Sequence, residues 1–171
     1  MANSAIQRIP TKTVGKIDVD AATVAEGHDA LRVWLRIMMI YKVVYKEVHG
    51  RLREQFGITL ARFDLMAVLA RHPDGIRMGE ISNRLMVTSG NVTQLTEHME
   101  KEGLVERAPD PSSGRACLVR LTGKGRRVFS AVEAEHESWI IDLFSGLNRQ
   151  EKKLLISGLS KEKSFLARRR A

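Results

Sequence analysis

Apolar residues recur at spacings of three and four along most of this chain. Between Asp29 and about Glu54 the series Leu31, Trp34, Leu35, Met38, Tyr41, Tyr45, Val48 and Leu52 keeps that rhythm, which predicts a long amphipathic helix. Met39, Ile40, Val43 and Val44 widen its apolar surface beyond one stripe. A helix apolar on more than one side is expected to be covered on more than one side, by a second subunit or around a ligand. Phe63, Met66, Ala67 and Ala70 mark a second helix from Leu60 to Arg71, with Thr59 as its cap and His72-Pro73-Asp74-Gly75 as its stop.

The pattern then shortens. Ile76-Arg77-Met78 reads as a brief strand and Met78–Met86 as a short helix. Thr88 is an N-cap for a helix running to about Glu102, with Val92, Leu95 and Met99 inside and Ser89, Asn91, Thr93, Gln94 and His98 outside. Gly103 supplies the stop, since glycine enters the left-handed region at little cost. Leu104–Arg107 and Cys117–Leu121 alternate as two strands, with Pro109 to Gly114 as the loop between them. Thr122 opens a long helix through Val128, Phe129, Val132, Trp139, Ile140, Leu143 and Phe144, with Gly146 at its end. Asn148 caps a last helix carrying Leu154, Leu155, Leu159 and Phe165.

The expected fold is therefore mainly α with a small β-wing, a winged helix-turn-helix. Residues 1–27 lack a period and are expected to be a flexible N-terminal extension, mobile or ordered only against a partner subunit. Residues 28–57 and 123–171 are expected to form a helical dimerisation region, and 58–122 the winged lobe. Such a lobe places one helix in the DNA major groove and a basic loop against the flanking backbone or minor groove.

The net charge of +8 favours a polyanionic partner. The excess gathers on the first helix (Arg32, Arg36, Lys42, Lys46, Arg51, Arg53) and at the chain end, so charge alone does not locate a DNA site. The single cysteine, Cys117, excludes an internal disulfide and a cysteine-rich zinc site, and on its strand it reads as a small buried hydrophobe. The five histidines show no metal-ligand spacing, so neither metal nor cofactor is expected. No apolar run approaches the ~20 residues that span a bilayer, and a soluble, cytoplasmic protein without a membrane partner is expected. The chain shows no nucleophile–base pair, phosphate loop or carboxylate pair, and is not expected to be an enzyme.

Within the lobe, Asn91 and Gln94 are the candidate base readers, because an amide bonds bidentately to adenine N6 and N7. The alternative is ordinary polar surface. Thr88, Ser89 and Thr93 suit phosphates, Thr88 also serving as a cap. Arg115 suits a narrow minor groove and Arg84 a phosphate. Arg107 is either a phosphate clamp or an ion-pair partner of Asp110. Trp34, Tyr41, Tyr45, His49, Phe63 and Met66 are candidates for a cavity that takes a flat aromatic guest, or are simply core. Arg36, beside them, would pair with a carboxylate or phosphate, or with solvent or a dimer partner.

The ordered series Arg62-Phe63-Asp64-Leu65, Gly79-Glu80-Ile81-Ser82, Val92-Thr93, Gly103-Leu104-Val105-Glu106-Arg107, Arg115 and Leu121-Thr122 followed by Gly125 resembles the MarR family of bacterial transcription regulators, from Leu31 to Phe165. The resemblance implies an intertwined homodimer joined through its terminal helices, each subunit presenting one winged helix to half of a pseudo-palindromic DNA operator. It also implies a repressor released by a small ligand. The runs Thr59–Asp64 and Arg84–Thr93 are similar to a branch controlling aromatic-acid catabolism, whose effectors are hydroxycinnamates or their coenzyme A thioesters. Many members carry Asp and Arg at the positions of Ser113 and Gly114, and Arg at that of Gln94. Those departures leave the aim of Arg115 open and point Gln94 to adenine rather than guanine.

Overall fold

The computed structural model describes residues 28–169, so the N-terminal extension lies outside the described residues. The elements are α1 (Asp29–Phe56), α2 (Leu60–Ala70), β1 (Ile76–Arg77), α3 (Met78–Leu85), α4 (Ser89–Lys101), β2 (Val105–Asp110), β3 (Ser113–Leu121), α5 (Gly123–Leu143) and α6 (Arg149–Arg168). The chain divides into two compact units, residues 1–43 and 44–171. The described part of the first is the opening stretch of α1, which exposes Leu31, Val33, Trp34, Ile37, Met39, Ile40, Tyr41 and Val43.

The second unit holds a hydrophobic core built by every element from the end of α1 to α5. Leu52 of α1, Leu65, Met66 and Leu69 of α2, Ile81 of α3, Val92 and Met99 of α4, Val119 and Leu121 of β3, and Val132 of α5 are all fully buried. The helix starts follow from local chemistry. Thr59, Thr88 and Thr122 each accept a hydrogen bond from the backbone N–H three residues on, and Asn148 forms a full capping box with Glu151. At the end of α4, Gly103 takes φ +69°. The next residue, Leu104, donates its N–H back to the Met99 carbonyl at 2.9 Å while burying its side chain, the geometry of a Schellman stop.

The sheet has the order β1-β3-β2, antiparallel throughout, with Val105 opposite Leu121, Arg107 opposite Val119 and Ile76 opposite Val119 from the other side. The sequence pattern placed a six-residue loop between shorter strands. Instead β2 runs on to Asp110 and β3 starts at Ser113, leaving a two-residue turn. Pro109 is tolerated because β2 is an edge strand, where a missing N–H costs no ladder bond. Cys117, expected inside, is exposed. It shares the strand face of buried Val119 and Leu121, but its partner Pro109 is exposed too, so the hairpin has run past the core by that level. The helix after β3 ends at Leu143, before Gly146.

Gly125 opens α5 directly against β2's approach. A Cβ there would lie 2.0 Å from the Leu104 carbonyl oxygen, a backbone atom that cannot step aside. Gly125→Ala is expected to cost about 2 kcal/mol or more, whereas Gly50→Ala, in open helix, is expected to gain about 0.5–1 kcal/mol. Thermal or urea unfolding of both variants checks the contrast.

Candidate nucleic-acid interface

α3, its turn and α4 form the helix-turn-helix. Met86 ends α3 in the left-handed region at φ 54°, and its N–H returns to the Ser82 carbonyl. Thr88 then starts α4. The inner face of α4 is set by Val92, Thr96 and Met99, all buried, with the Thr96 hydroxyl directed at the Met78 sulfur (3.8 Å). The period of 3.6 turns Gln94 and His98 to the opposite side and Asn91 and Thr93 to its flanks, all exposed, and Ser89 is exposed at the helix start. Among the described residues neither the Asn91 nor the Gln94 amide has a hydrogen-bond partner, so both keep their full donor and acceptor set.

The hydroxyls on this face differ. Thr88 Oγ1 accepts from the Asn91 N–H at 3.4 Å, which leaves its own proton for a phosphate. The Thr93 hydroxyl donates to the Ser89 carbonyl at 3.0 Å, so that proton is occupied. Ser89 is exposed at the helix start, where backbone N–H groups favour an anion.

The cations also separate. Arg84 is exposed and, among the described residues, has no ion-pair partner. Arg107 Nε lies 3.3 Å from Glu100 of α4, not beside Asp110 as one sequence reading had it. Asp110 sits beyond an irregularity in the ladder after Pro109 and turns to Arg77 instead. The Arg107–Glu100 pair is partly solvated, and such pairs exchange partners at little cost. Arg115 lies on β3, its side chain outside the described residues.

Asp110 was expected beside Arg107, and Arg77 was not singled out by the sequence; together they shape the wing. Arg77 Nε donates to Asp110 Oδ2 at 2.6 Å and Nη2 to Ser112 Oγ at 2.9 Å, while Asp110 Oδ1 accepts from both the N–H and the hydroxyl of Ser112 at 2.8 Å. These bonds, led by those from Ser112, hold the Asp110 carboxyl below the usual carboxylate range. The only sequence signal was the Asp-Pro-Ser turn chemistry. With Ser113 and Gly114 standing where many members have Asp and Arg, this network is what orders the tip. It borders an open cleft of about 350 Å³ that His72, Glu80 and Arg84 also line.

A second open groove, also of about 350 Å³, runs beside α4 between Ala61, Asp64, Leu85, Val87, Leu95 and His98, and touches Asn91 and Gln94. Burial pushes the Asp64 carboxyl up.

The aromatic candidates do not share one setting. Phe63 and Met66 are core, at 6% and 0% exposure. The Phe63 ring meets His136 at 4.5 Å and Phe129 at 5.7 Å. Tyr45 and His49 stack at 5.7 Å, and His49 Nδ1 is buried without a hydrogen-bond partner. Trp34, Arg36 and Tyr41 belong to the first unit and are exposed, Arg36 donating to the Arg32 carbonyl at 3.3 Å.

A family model described as the MarR family matches residues 56–116. The HTH-type transcriptional regulator YkoM of Bacillus subtilis is 32% identical over 133 residues, covering 74% of this chain and 85% of its own length. The crystal structure of a MarR family transcriptional regulator from Silicibacter pomeroyi is 30% identical, with a TM-score of 0.70, covering 81% of this chain and 95% of that one. The chain belongs to the MarR family. It is accordingly a winged-helix, DNA-binding type of transcription regulator and not an enzyme. The S. aureus MepR–DNA complex, 25% identical with a TM-score of 0.67 over 76% of this chain and 93% of that one, shows a similar fold holding DNA. Among the described residues no helix is long and apolar enough to cross a membrane.

Burial lowers the His136 pKa, so the unfolded chain binds the extra proton first as pH falls. Its contribution is complete above about 6.5 and is lost as pH drops toward the folded value. Asp110 also favours higher pH, but its window lies below the usual carboxylate range. The melting temperature is therefore expected to fall between pH 7.5 and 5.5, and His136→Gln is expected to flatten that slope. An unchanged slope would remove His136 as its source.

Proposed function

We propose that this regulator is a homodimeric repressor that reads a pseudo-palindromic operator through Asn91 and Gln94 and is released by an aromatic acid or its coenzyme A thioester. The observation that carries the reading is the pair of unengaged amides on the exposed face of a helix whose other face is locked in the core. Thr88 and Ser89 bind phosphates at the helix start, Arg84 and Arg107 bind flanking phosphates, and Arg115 follows the wing toward the minor groove. Arg107 exchanges Glu100 for the phosphate.

Dimerisation is supported by surface that a lone chain leaves wet. α6 buries no residue at all, yet carries Leu154, Leu155, Ile156, Leu159, Phe165 and Leu166. The first unit exposes the apolar run from Leu31 to Val43. Patches of that kind mark interaction surfaces. A dimer would set two recognition helices about one DNA turn apart, ~34–36 Å.

An effector acts only through different affinity for two arrangements of the dimer, and DNA must weaken the effector by the same factor. The stacked Tyr45–His49 pair, with its unsatisfied Nδ1, suits an aromatic guest that brings a hydrogen-bond donor or acceptor. Trp34, Tyr41 and Arg36, on the first unit, are further candidates for effector contact. The basic residues Arg32, Arg36 and Lys42 would suit the phosphates of a coenzyme A thioester.

Asn91→Ala and Gln94→Ala are each expected to lose about 1–3 kcal/mol of discrimination at one base position, seen as a relaxed preference in fluorescence anisotropy with base-substituted operators. A loss uniform across all sequences would mean that these amides hold backbone only. In the same assay at fixed salt, hydroxycinnamates and their thioesters are expected to release the protein from the upstream DNA of its own gene. Specific binding that none of them disturbs would sink the effector half of the proposal.

A further inference from the structure

The end of α4 remote from its DNA-reading residues is fastened from two directions. Glu102 caps the helix, and its carboxylate accepts a hydrogen bond from Arg62 Nη2 of α2. The backbone carbonyl of the same residue accepts from Lys124 Nζ of α5 at 2.8 Å. The next two carbonyls, Gly103 and Leu104, accept from the Thr122 hydroxyl that caps α5, at 2.7 and 3.3 Å. Arg62 is followed by Phe63, whose ring packs on Phe129 and His136 of α5. The three helices therefore close a ring: α2 to α4 through charge, α4 to α5 through capping, and α5 to α2 through aromatic packing.

The Arg62–Glu102 pair differs from the solvated ion pairs of the lobe in its cation, while its carboxylate stays half exposed. The Arg62 side chain is only 18% exposed and its Nε is buried with no partner. Both members of the Arg120–Glu106 and Arg107–Glu100 pairs are about one-third or more exposed. A guanidinium so desolvated cannot be left without its carboxylate, so Glu102 is confined far more narrowly than a solvated surface pair would confine it. Whatever shifts α2 against α5 must carry the end of α4 along.

We propose that Arg62 and Glu102, with Lys124, form a positioning clamp through which α2 and α5 set the angle of the recognition helix, and with it the half-site spacing that the dimer accepts. The spacing part rests on the dimeric DNA-reading proposal above, whereas the fixing of α4 does not. Neither Arg62 nor Glu102 touches a base or phosphate in this role.

The test uses the full-length protein with Glu102→Gln, Lys124→Met and the exchange Arg62→Glu/Glu102→Arg. Glu102→Gln keeps a hydrogen-bond acceptor beside Arg62, and Lys124 lies at the surface, so one or both variants are expected to fold. Binding to operators whose spacer is lengthened or shortened by one base pair is expected to lose its preference, with affinity for the natural spacing reduced roughly two- to thirty-fold. The salt dependence is expected to stay unchanged because no phosphate contact is removed. The exchange variant is expected to recover part of the spacing preference. Amide hydrogen exchange without DNA is expected to quicken in the last turns of α4 and to stay unchanged in β2 and β3. A folded Glu102→Gln protein with native spacing preference and native exchange in α4 would overturn the clamp. A wild-type protein indifferent to spacing would overturn its spacing role together with the dimeric reading, and exchange in α4 would then decide whether the clamp fixes that helix.

Discussion

Three elements meet on the carbonyl group of Leu104. The recognition helix ends at Lys101 with Glu102 as its C-cap, Gly103 takes the left-handed region, and the Leu104 N–H folds back onto Met99. The wing begins one residue later at Val105. The carbonyl itself accepts from the Thr122 N–H at 3.0 Å and lies so close to Gly125 that only a hydrogen fits between them. This junction uses two glycines for two different reasons, one conformational and one steric. It also fixes the order of construction, because the exit of α4, the root of the hairpin and the entry of α5 are set by the same few atoms. The reading face of α4 is as well defined as this junction, and its inner residues Val92, Thr96 and Met99 carry that definition along the helix.

Around that frame the charges are arranged for local order more than for a general positive field. Arg77 is held by Asp110, Arg107 by Glu100, Arg120 by Glu106 and Arg62 by Glu102. Much of the lobe's positive charge is thus neutralised within the chain, which fits the proposal that sequence discrimination falls to neutral amides on α4. The pairs are not equivalent. Those open to solvent contribute little and can trade a carboxylate for a phosphate. Those that are desolvated fix geometry, because breaking them strands a buried charge. Exposure, more than distance, separates cations available to DNA from cations that hold the fold.

Much of this was legible in the sequence, and what was legible is local. Thr59, Thr88, Thr122 and Asn148 announce helix starts because the cap bond spans three residues. The spacing of Val92, Leu95 and Met99 gives the inner face of α4 by helical period alone. The misreadings involve contacts distant along the chain. Arg77 and Asp110 are 33 positions apart, and Arg62 and Glu102 are 40 apart, so no window of sequence contains either pair. The wing was read too short because Pro109 signals a strand end unless the strand is known to lie at an edge. Cys117 was placed inside because alternation tells which face a residue takes but not whether the core extends beneath it.

The same distinction bears on how an effector could act. Phe63 and Met66 satisfy an aromatic pattern, yet both are sealed in the core, where Phe63 helps join α2 to α5. A guest reaching them would have to part those helices, and parting them would strain the bond from Arg62 to the end of α4. The stacked Tyr45 and His49 are less deeply buried, and the His49 Nδ1, buried with no hydrogen-bond partner among the described residues, could be completed only in an arrangement that opens it. A polar group supplied there in one arrangement of the protein and not in another provides the difference in affinity that a switch requires. Binding surface alone does not provide it: a ligand that met only the exposed apolar run of α1 equally well in both arrangements would bind and release nothing. In the proposed switch the effector site would therefore adjoin an unsatisfied buried group or the α2–α5 packing, and in this chain both belong to the unit that carries the recognition helix.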